Sequence, residues 1–204
     1  MIARLLLAAL LFPSAAFADD SMKEPVQKLV LNIGGKAVPM VIGKEVKIEG
    51  EFKEPTAIIE AASVRSFDIG GIRFDYPAGY NWEAERDDTS HTWTMEGPDV
   101  TLMVFRFDKG MDAGGLADAV AKRHGRNAVK TEITEMHGGR EFIGWKISGK
   151  ISGIPIKIRV FSIPFKQGSL IFQIVDSPGT AKEESPEFMS TMELLGKTLT
   201  ISSR

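Results

Sequence analysis

The sequence has 204 residues and no cysteine. That absence removes disulfide staples, thiolate metal sites, cysteine nucleophiles and any lipid-accepting cysteine behind an export leader. Histidine is scarce as well: His91, His124 and His137 are too scattered to make a local metal motif. Charge of one sign is also missing. The formal net charge is −2 with the signs interspersed, so neither nucleic acid nor an anionic membrane has an electrostatic reason to bind. No apolar run reaches the roughly 20 residues that a spanning helix needs. There is no Asn-x-Ser/Thr sequon, no internal repeat and no low-complexity tract. The nucleophile elbow, the phosphate-binding loop and the zincin helix are all absent. Asp108–Ala119 comes nearest to a calcium loop, but it fails. Gly110, Ala113 and Ala119 occupy the places of a ligand, the turn glycine and the bidentate glutamate.

What is present begins with a leader. Arg4, the apolar Leu5–Phe12 and the Ala16-Phe17-Ala18 exit in front of Asp19-Asp20 have the tripartite layout of a secretory signal peptide. Pro13 interrupts the apolar run, which is too short for a membrane anchor. The sequence therefore predicts an exported, soluble chain, periplasmic or secreted after cleavage of residues 1–18 near Ala18. Export without cysteine suits a periplasm better than a small disulfide-held scaffold. Cleavage leaves 204 − 18 = 186 residues, enough to bury a core, and a charge of −3 once Arg4 is gone.

Along the chain, the polar residues 19–27 are expected to be disordered. Residues 28–52 read as a small β-meander with strands over Lys28–Ile33, Ala37–Ile42 and Val46–Phe52. Lys53-Glu54-Pro55 follows as a linker. Thr56–Arg65 is ambiguous, since Ile58-Ile59 allow a strand and Glu60-Ala61-Ala62 a helix turn. The stretch from Ser66 to Trp82 should then open the main sheet: apolar alternation, a Gly70-Gly71 turn, and a stop at Pro77, which lacks the N–H of a central ladder. A strand from Tyr80, a hairpin over His91–Phe107 and a helix from its Asp112 cap to about His124 come next. Four β segments follow, over Ala128–Met136, Arg140–Ser148, Ile154–Phe165 and Leu170–Val175, with Gln167-Gly168 turning the third into the fourth. The last helix starts at Ser185-Pro186-Glu187, a capping serine with proline at the first helical position, and should end at Gly196. The expected fold is α+β, a mainly antiparallel sheet flanked by two helices and preceded by the small meander.

Gly71-Ile72-Arg73-Phe74-Asp75-Tyr76-Pro77-Ala78-Gly79 with Trp82, the meander Phe142–Val175 and the helix Pro186–Leu195 with Leu199 resemble, in that order, the PsbP-like sandwich family. The resemblance covers residues 56–204 and leaves the N-terminal meander outside it. It implies a docking or assembly protein without catalytic activity, and it carries over no functional residue and no cofactor.

Candidate site residues are few. Lys146, Lys157 and Arg159 line one side of the long meander and form a candidate docking surface for an acidic protein partner; a solvated sheet edge is the plainer explanation. A second basic grouping, Lys122, Arg123, Arg126 and Lys130, sits where the dipole of the first helix favours cations anyway. His91 and His137 could meet across strands and, with a carboxylate, hold a metal for hydrolysis; separate structural histidines are the simpler reading. Glu83, Glu85, Asp87 and Asp88 mimic an acid/base pair but fit an exposed turn. Tyr80, Trp82 and Trp93 would form a binding patch only if exposed together. The reading favoured is an exported, non-enzymatic binding or assembly module. The alternatives are a metal-assisted periplasmic hydrolase and a carrier with an apolar pocket between sheet and helix.

Overall fold

The computed structural model describes residues 20–51, 56–165, 168–181 and 183–202. After a single 3-10 turn at Asp20–Met22, strands β1 (Leu29–Ile33), β2 (Lys36–Met40) and β3 (Ala57–Ala61) form a small sheet in the order β2-β1-β3. The hairpin of β4 (Val64–Ile69) and β5 (Ile72–Pro77) follows, then β6 (Asn81–Arg86), β7 (Ser90–Glu96) and β8 (Val100–Phe107). Helix α1 (Ala113–Arg123) leads to β9 (Val129–His137), β10 (Arg140–Ile151), β11 (Ile154–Ile163) and β12 (Ser169–Asp176). Helix α2 (Pro186–Thr198) and the two-residue β13 (Thr200–Ile201) close the chain.

Seven strands make one antiparallel sheet in the order β6-β7-β8-β12-β11-β10-β9. Alternate residues feed two cores, because side chains on a strand point to opposite faces. On β11, Ile158 and Val160 join Ala113 and Ala117 of α1 on one side, while Phe161 and Ile163 join Phe188 and Leu195 of α2 on the other. Both faces are covered, so β11 and β12 are buried along most of their length.

The expected helix-flanked sandwich is overturned: the molecule is more sheet-rich than that, with thirteen strands in three sheets and two helices among the described residues. Helix α2 does not cover its face of the large sheet alone; a third sheet, β13-β5-β4, lies beside it. Dimensions explain why. Seven strands span roughly 29 Å at about 4.8 Å per spacing, and one helix is only about 10 Å wide. The uncovered part holds Trp93, Met95, Leu102 and Val104, all buried, and Phe67, Phe74 and Tyr76 of the third sheet pack over them. Phe67 and Phe74, opposite each other in the hairpin, stack at 4.9 Å, and Phe67 meets Trp93 edge-on at 5.9 Å.

The Ser66–Trp82 stretch therefore does not open the main sheet. Its hairpin, closed by Gly70 and Gly71 in left-handed conformation (φ 65° and 86°), belongs to the covering layer, and the chain enters the large sheet only at β6.

Three further expectations need correction. The third strand of the N-terminal sheet is not Val46–Phe52; residues 44–49 carry no regular structure, and β3 pairs with β1 instead. Residues 20–27, expected to be disordered, lie against the body: Ser21 O accepts from Trp93 Nε1 at 2.8 Å, Met22 packs on the main core, and Gln27 Nε2 donates to Ala62 O at 2.7 Å. Helix α2 runs past Gly196 to Thr198, whose hydroxyl donates to Leu194 O (2.8 Å) and accepts from Asp75 N (3.0 Å). The leader, the Lys53-Glu54-Pro55 linker and Gln167 of the predicted turn fall outside the described residues. Among the described residues, no helix is long and apolar enough to cross a membrane.

Candidate functional site

Helix α2 is held at both ends. Ser185 caps it, accepting from Phe188 N at 3.0 Å, and Ser185 N in turn lies 3.3 Å from the fully buried Asp176 carboxylate. Glu187 accepts from Asp99 N at 2.6 Å, and Thr191 hydrogen-bonds the buried Tyr80 hydroxyl at 2.9 Å. At the other end Gly196 O accepts from Gly138 N of the β9–β10 turn at 3.1 Å. These tethers fix the helix alongside β9, an edge strand of the large sheet.

An ion network lies beneath that junction. Arg159 is 7% exposed and donates from Nε to Glu135 (2.7 Å) and from Nη2 to Glu184 (2.5 Å), with its guanidinium 4.4 Å from the centre of the Phe188 ring. Lys146 stands directly opposite Arg159 in the sheet and reaches Glu184 at 3.6 Å. Burial opposes ionisation of Glu135 and is the largest single influence on it. The close polar contact from His137 and the hydrogen bond from Arg159 together outweigh that cost and lower its pKa below the ordinary carboxylate value. Glu184 follows the same logic: burial resists, but Arg159 first, then Lys146 and Lys157, bring its pKa down. His137 is 5% exposed; its Nε2 sits 3.3 Å from Glu135 Oε2, within ion-pair range but off the line of a hydrogen bond.

The three predicted docking cations thus converge, but on an acid of their own chain. Arg159 is buried in that network, and Lys146 and Lys157 add their charge around Glu184. The two predicted metal histidines are kept apart. His91 is on β7 and His137 on β9, five strand spacings or roughly 24 Å across the sheet. No group of three or more His, Cys, Asp or Glu among the described residues is placed to hold a metal ion.

The remaining candidates resolve into packing and turns. Asp87 accepts from Thr89 N and Ser90 N, both at 2.7 Å, and these bonds lower its pKa to about 2; it shapes the β6–β7 turn. Trp93 and Tyr80 are buried and Trp82 half-buried, so they form no exposed patch. Lys130 pairs with Asp118 and lies 4.1 Å from the Trp145 ring centre.

Directly over the network, between α2 and the end of β9, is an open groove of about 830 Å³. Met136, His137, Met189 and Met192 line it, with Glu135 and Glu193 alongside. Met136 and Met189 are 62% and 59% exposed. Sequence reasoning did not find this groove. Periodicity assigns Met192 to the buried stripe of α2 with Phe188 and Leu195, and it gives no sign that β9 runs alongside. The one available signal was Met189, an apolar residue outside that stripe.

No family model and no curated protein matches the chain. Among solved structures it is similar to LpqN of Mycobacterium tuberculosis, involved in cell envelope biogenesis, at 14% identity and a TM-score of 0.39 over 66% of this chain and 86% of that one. It is also similar to PA94, a protein of unknown function from Pseudomonas aeruginosa, at 14% identity and a TM-score of 0.37 over 70% of this chain and all of that one. Likeness at this level carries no conclusion about function.

Proposed function

We propose that the chain is an exported, non-enzymatic binding module that works through the groove between α2 and β9. The observation that carries this reading is the pairing of an exposed methionine lining with a rigid floor. Methionine is flexible and polarisable and suits a surface that receives a partner or ligand. The ion network beneath and the tethers at both ends of α2 preorganise the walls, which lowers the cost of binding. Export rests on the leader at residues 1–18, and a docking role also agrees with the PsbP-like resemblance.

The Glu135–His137 pair is the nearest thing to a catalytic dyad, and its setting argues against that use. A carboxylate whose pKa Arg159 helps to depress is a poor base, and a general base works best near the operating pH. The experiment is site-specific photocrosslinking in the exporting cell, with the probe at position 189 and a control at position 83 on the opposite edge strand. Adducts should form from 189 and vanish when Met136 is changed to Glu. Equal labelling from both positions, or turnover of any substrate that Glu135→Gln abolishes, would overturn the reading.

A further inference from the structure

Strand β3 is a bare sheet edge. Its backbone is hydrogen-bonded to β1 on one side, and among the described residues nothing bonds its other side. Unpaired edges are usually blunted by proline, lysine or other charges. The opposite edge of the same sheet, β2, has Lys36 and Pro39, and β4 has Arg65 and Asp68. In the large sheet, β6 carries Glu83, Glu85 and Arg86, and β9 carries Lys130, Glu132 and Glu135. Strand β3 reads Ala-Ile-Ile-Glu-Ala, fully exposed, with Glu60 as its one charge. We propose that this edge pairs with the same edge of a second copy of the chain, antiparallel about a two-fold axis at Ile59, so that two three-stranded sheets become one. The inference goes beyond the α2–β9 groove and does not depend on it.

The register follows from the bonds β3 already makes. Ala62 N donates to Lys28 O at 2.9 Å, and from there Val30 stands opposite Glu60, Leu31 opposite Ile59 and Asn32 opposite Ile58. In an antiparallel pair only alternate residues exchange bonds. Glu60 and Ile58 therefore direct their N–H and C=O groups to β1, and those of Ala57, Ile59 and Ala61 point outward. An added strand must pair with these three. About a two-fold at Ile59, Ala57 meets Ala61 of the second copy and Ile59 meets its own counterpart, so every outward residue finds an outward apolar one. Glu60 falls opposite Ile58 of the second copy, and no like charges face each other.

That row is self-complementary, as a two-fold contact requires, and this selects a second copy over an unrelated strand. Pairing also brings together two Ile59 side chains that are each 60% exposed. It adds strands to a sheet that has almost no core of its own. The contact is small. Five residues extend about 17 Å, and such an edge buries well under the roughly 800 Å² per partner of a standard interface. Association is therefore weak, and dilute protein stays monomeric.

Sedimentation of the purified exported chain, from low micromolar to near-millimolar protein, should show a reversible monomer–dimer equilibrium. Two neighbouring lysine substitutions separate this register from general apolar stickiness. Ile59→Lys sets like charges together on the axis and should weaken the dimer by roughly tenfold or more. Ile58→Lys removes as much apolar surface but places each ammonium opposite Glu60 of the other copy, and should leave the dimer as tight or tighter. Both positions are exposed, so both variants should keep the parent circular dichroism spectrum. The chain has no cysteine, so Ile59→Cys introduces its only thiol. The paired Cα atoms would lie about 5.5 Å apart, within disulfide range. Mild oxidation should link that variant into covalent dimers, whereas Glu83→Cys on β6 should stay monomeric. A monomer at every concentration, equal weakening by the two lysines, or no more disulfide from position 59 than from position 83 would overturn the proposal.

Discussion

Arg159 is the residue on which the region under α2 depends. Removing one partner from a buried ion pair leaves the others charged without compensation, which costs about 3–5 kcal/mol for full burial. Glu135 and Glu184 keep some contact with water, at 24% and 23% side-chain exposure, so the low end applies. Arg159→Ala should therefore destabilise by about 3 kcal/mol in chemical denaturation. Changing all three together to Met, Leu and Leu should recover most of that loss, because isosteric apolar packing avoids the desolvation cost. The pH dependence follows from the two carboxylates. Their folded pKa values are lowered relative to the unfolded chain. The stability they contribute is thus present above the unfolded value, about 4.3, and is lost as pH falls through the folded values below it. Unfolding free energy should drop as pH falls below about 5, and the slope should flatten in Arg159→Ala. An equally steep slope in the variant would assign the acid sensitivity elsewhere.

Gly138 is the second such residue. Its φ of 56° is left-handed, and a Cβ there would run into the backbone carbonyl oxygen of Leu199. Gly138→Ala must strain the backbone and also push the β9–β10 turn off the end of α2, breaking the bond to Gly196 O. A loss above about 1 kcal/mol is expected. Gly139→Ala, with similar φ (73°) but open space, should lose less in the same denaturation experiment.

At the scale of elements, the N-terminal sheet is the weakest part. Strand β3 pairs only with β1 and all five of its residues are exposed, including Ile58 at 54% and Ile59 at 60%. Only Leu31 is buried in this sheet, so little apolar area holds it. Its ties to the body are polar: Lys28 Nζ to Ser66 Oγ at 2.8 Å, and Arg65 to Glu24 and to Gln27. Three strands with almost no core should open locally long before the whole molecule unfolds. Amides of β1 and β3 should exchange with deuterium far faster than those of β8, β11 and β12, and Lys28→Met should speed β1 and β3 further while leaving the central strands unchanged. Matching protection in both sheets would contradict this account.

Legibility also divides by element. Elements whose signal is local were readable: Asp112 caps α1 and accepts from Gly115 N at 2.6 Å, and Ser185-Pro186 starts α2. The hairpin around Gly97 was readable for the same reason. What could not be read was allegiance. Nothing in Phe67-Asp68-Ile69 says whether the strand joins the large sheet or lies across it, because both roles bury one face in alternation. The same limit hid the site. Arg159 looks like a surface cation on a strand until Glu135, 24 residues before it, and Glu184, 25 residues after it, are brought to it by tertiary packing. The groove likewise joins Met136 to Met189 over a separation that no local pattern encodes.

For the whole molecule, the first described residues link export to stability. The predicted cleavage after Ala18 would leave Asp19 as the first residue, two positions before Ser21, which already accepts from the Trp93 indole. Met22 then packs on the main core and Glu24 pairs with Arg65, so a new N-terminus would be held almost from its first residue. Deleting residues 19–24 from the secreted form would strip the partner from a Trp93 that is 1% exposed and would open the core beside it. An unmade bond of that kind costs about 1–3 kcal/mol. For a chain of this size each kcal/mol shifts Tm by about 2–4 °C, so the truncated protein should melt roughly 2–12 °C lower. Because Trp93 stacks edge-on against Phe67 between the two sheets, its fluorescence should shift to the red in the truncation. Trp93→Phe in the untruncated protein separates the two contributions, since it removes the indole N–H but keeps most of the ring. If the truncation melts with the parent and its emission is unmoved, residues 20–24 do not seal the core. Mass spectrometry of exported protein carries the other half of the argument, because a mature N-terminus well beyond Asp19 would remove the Ser21 contact and leave Trp93 to be capped by something else.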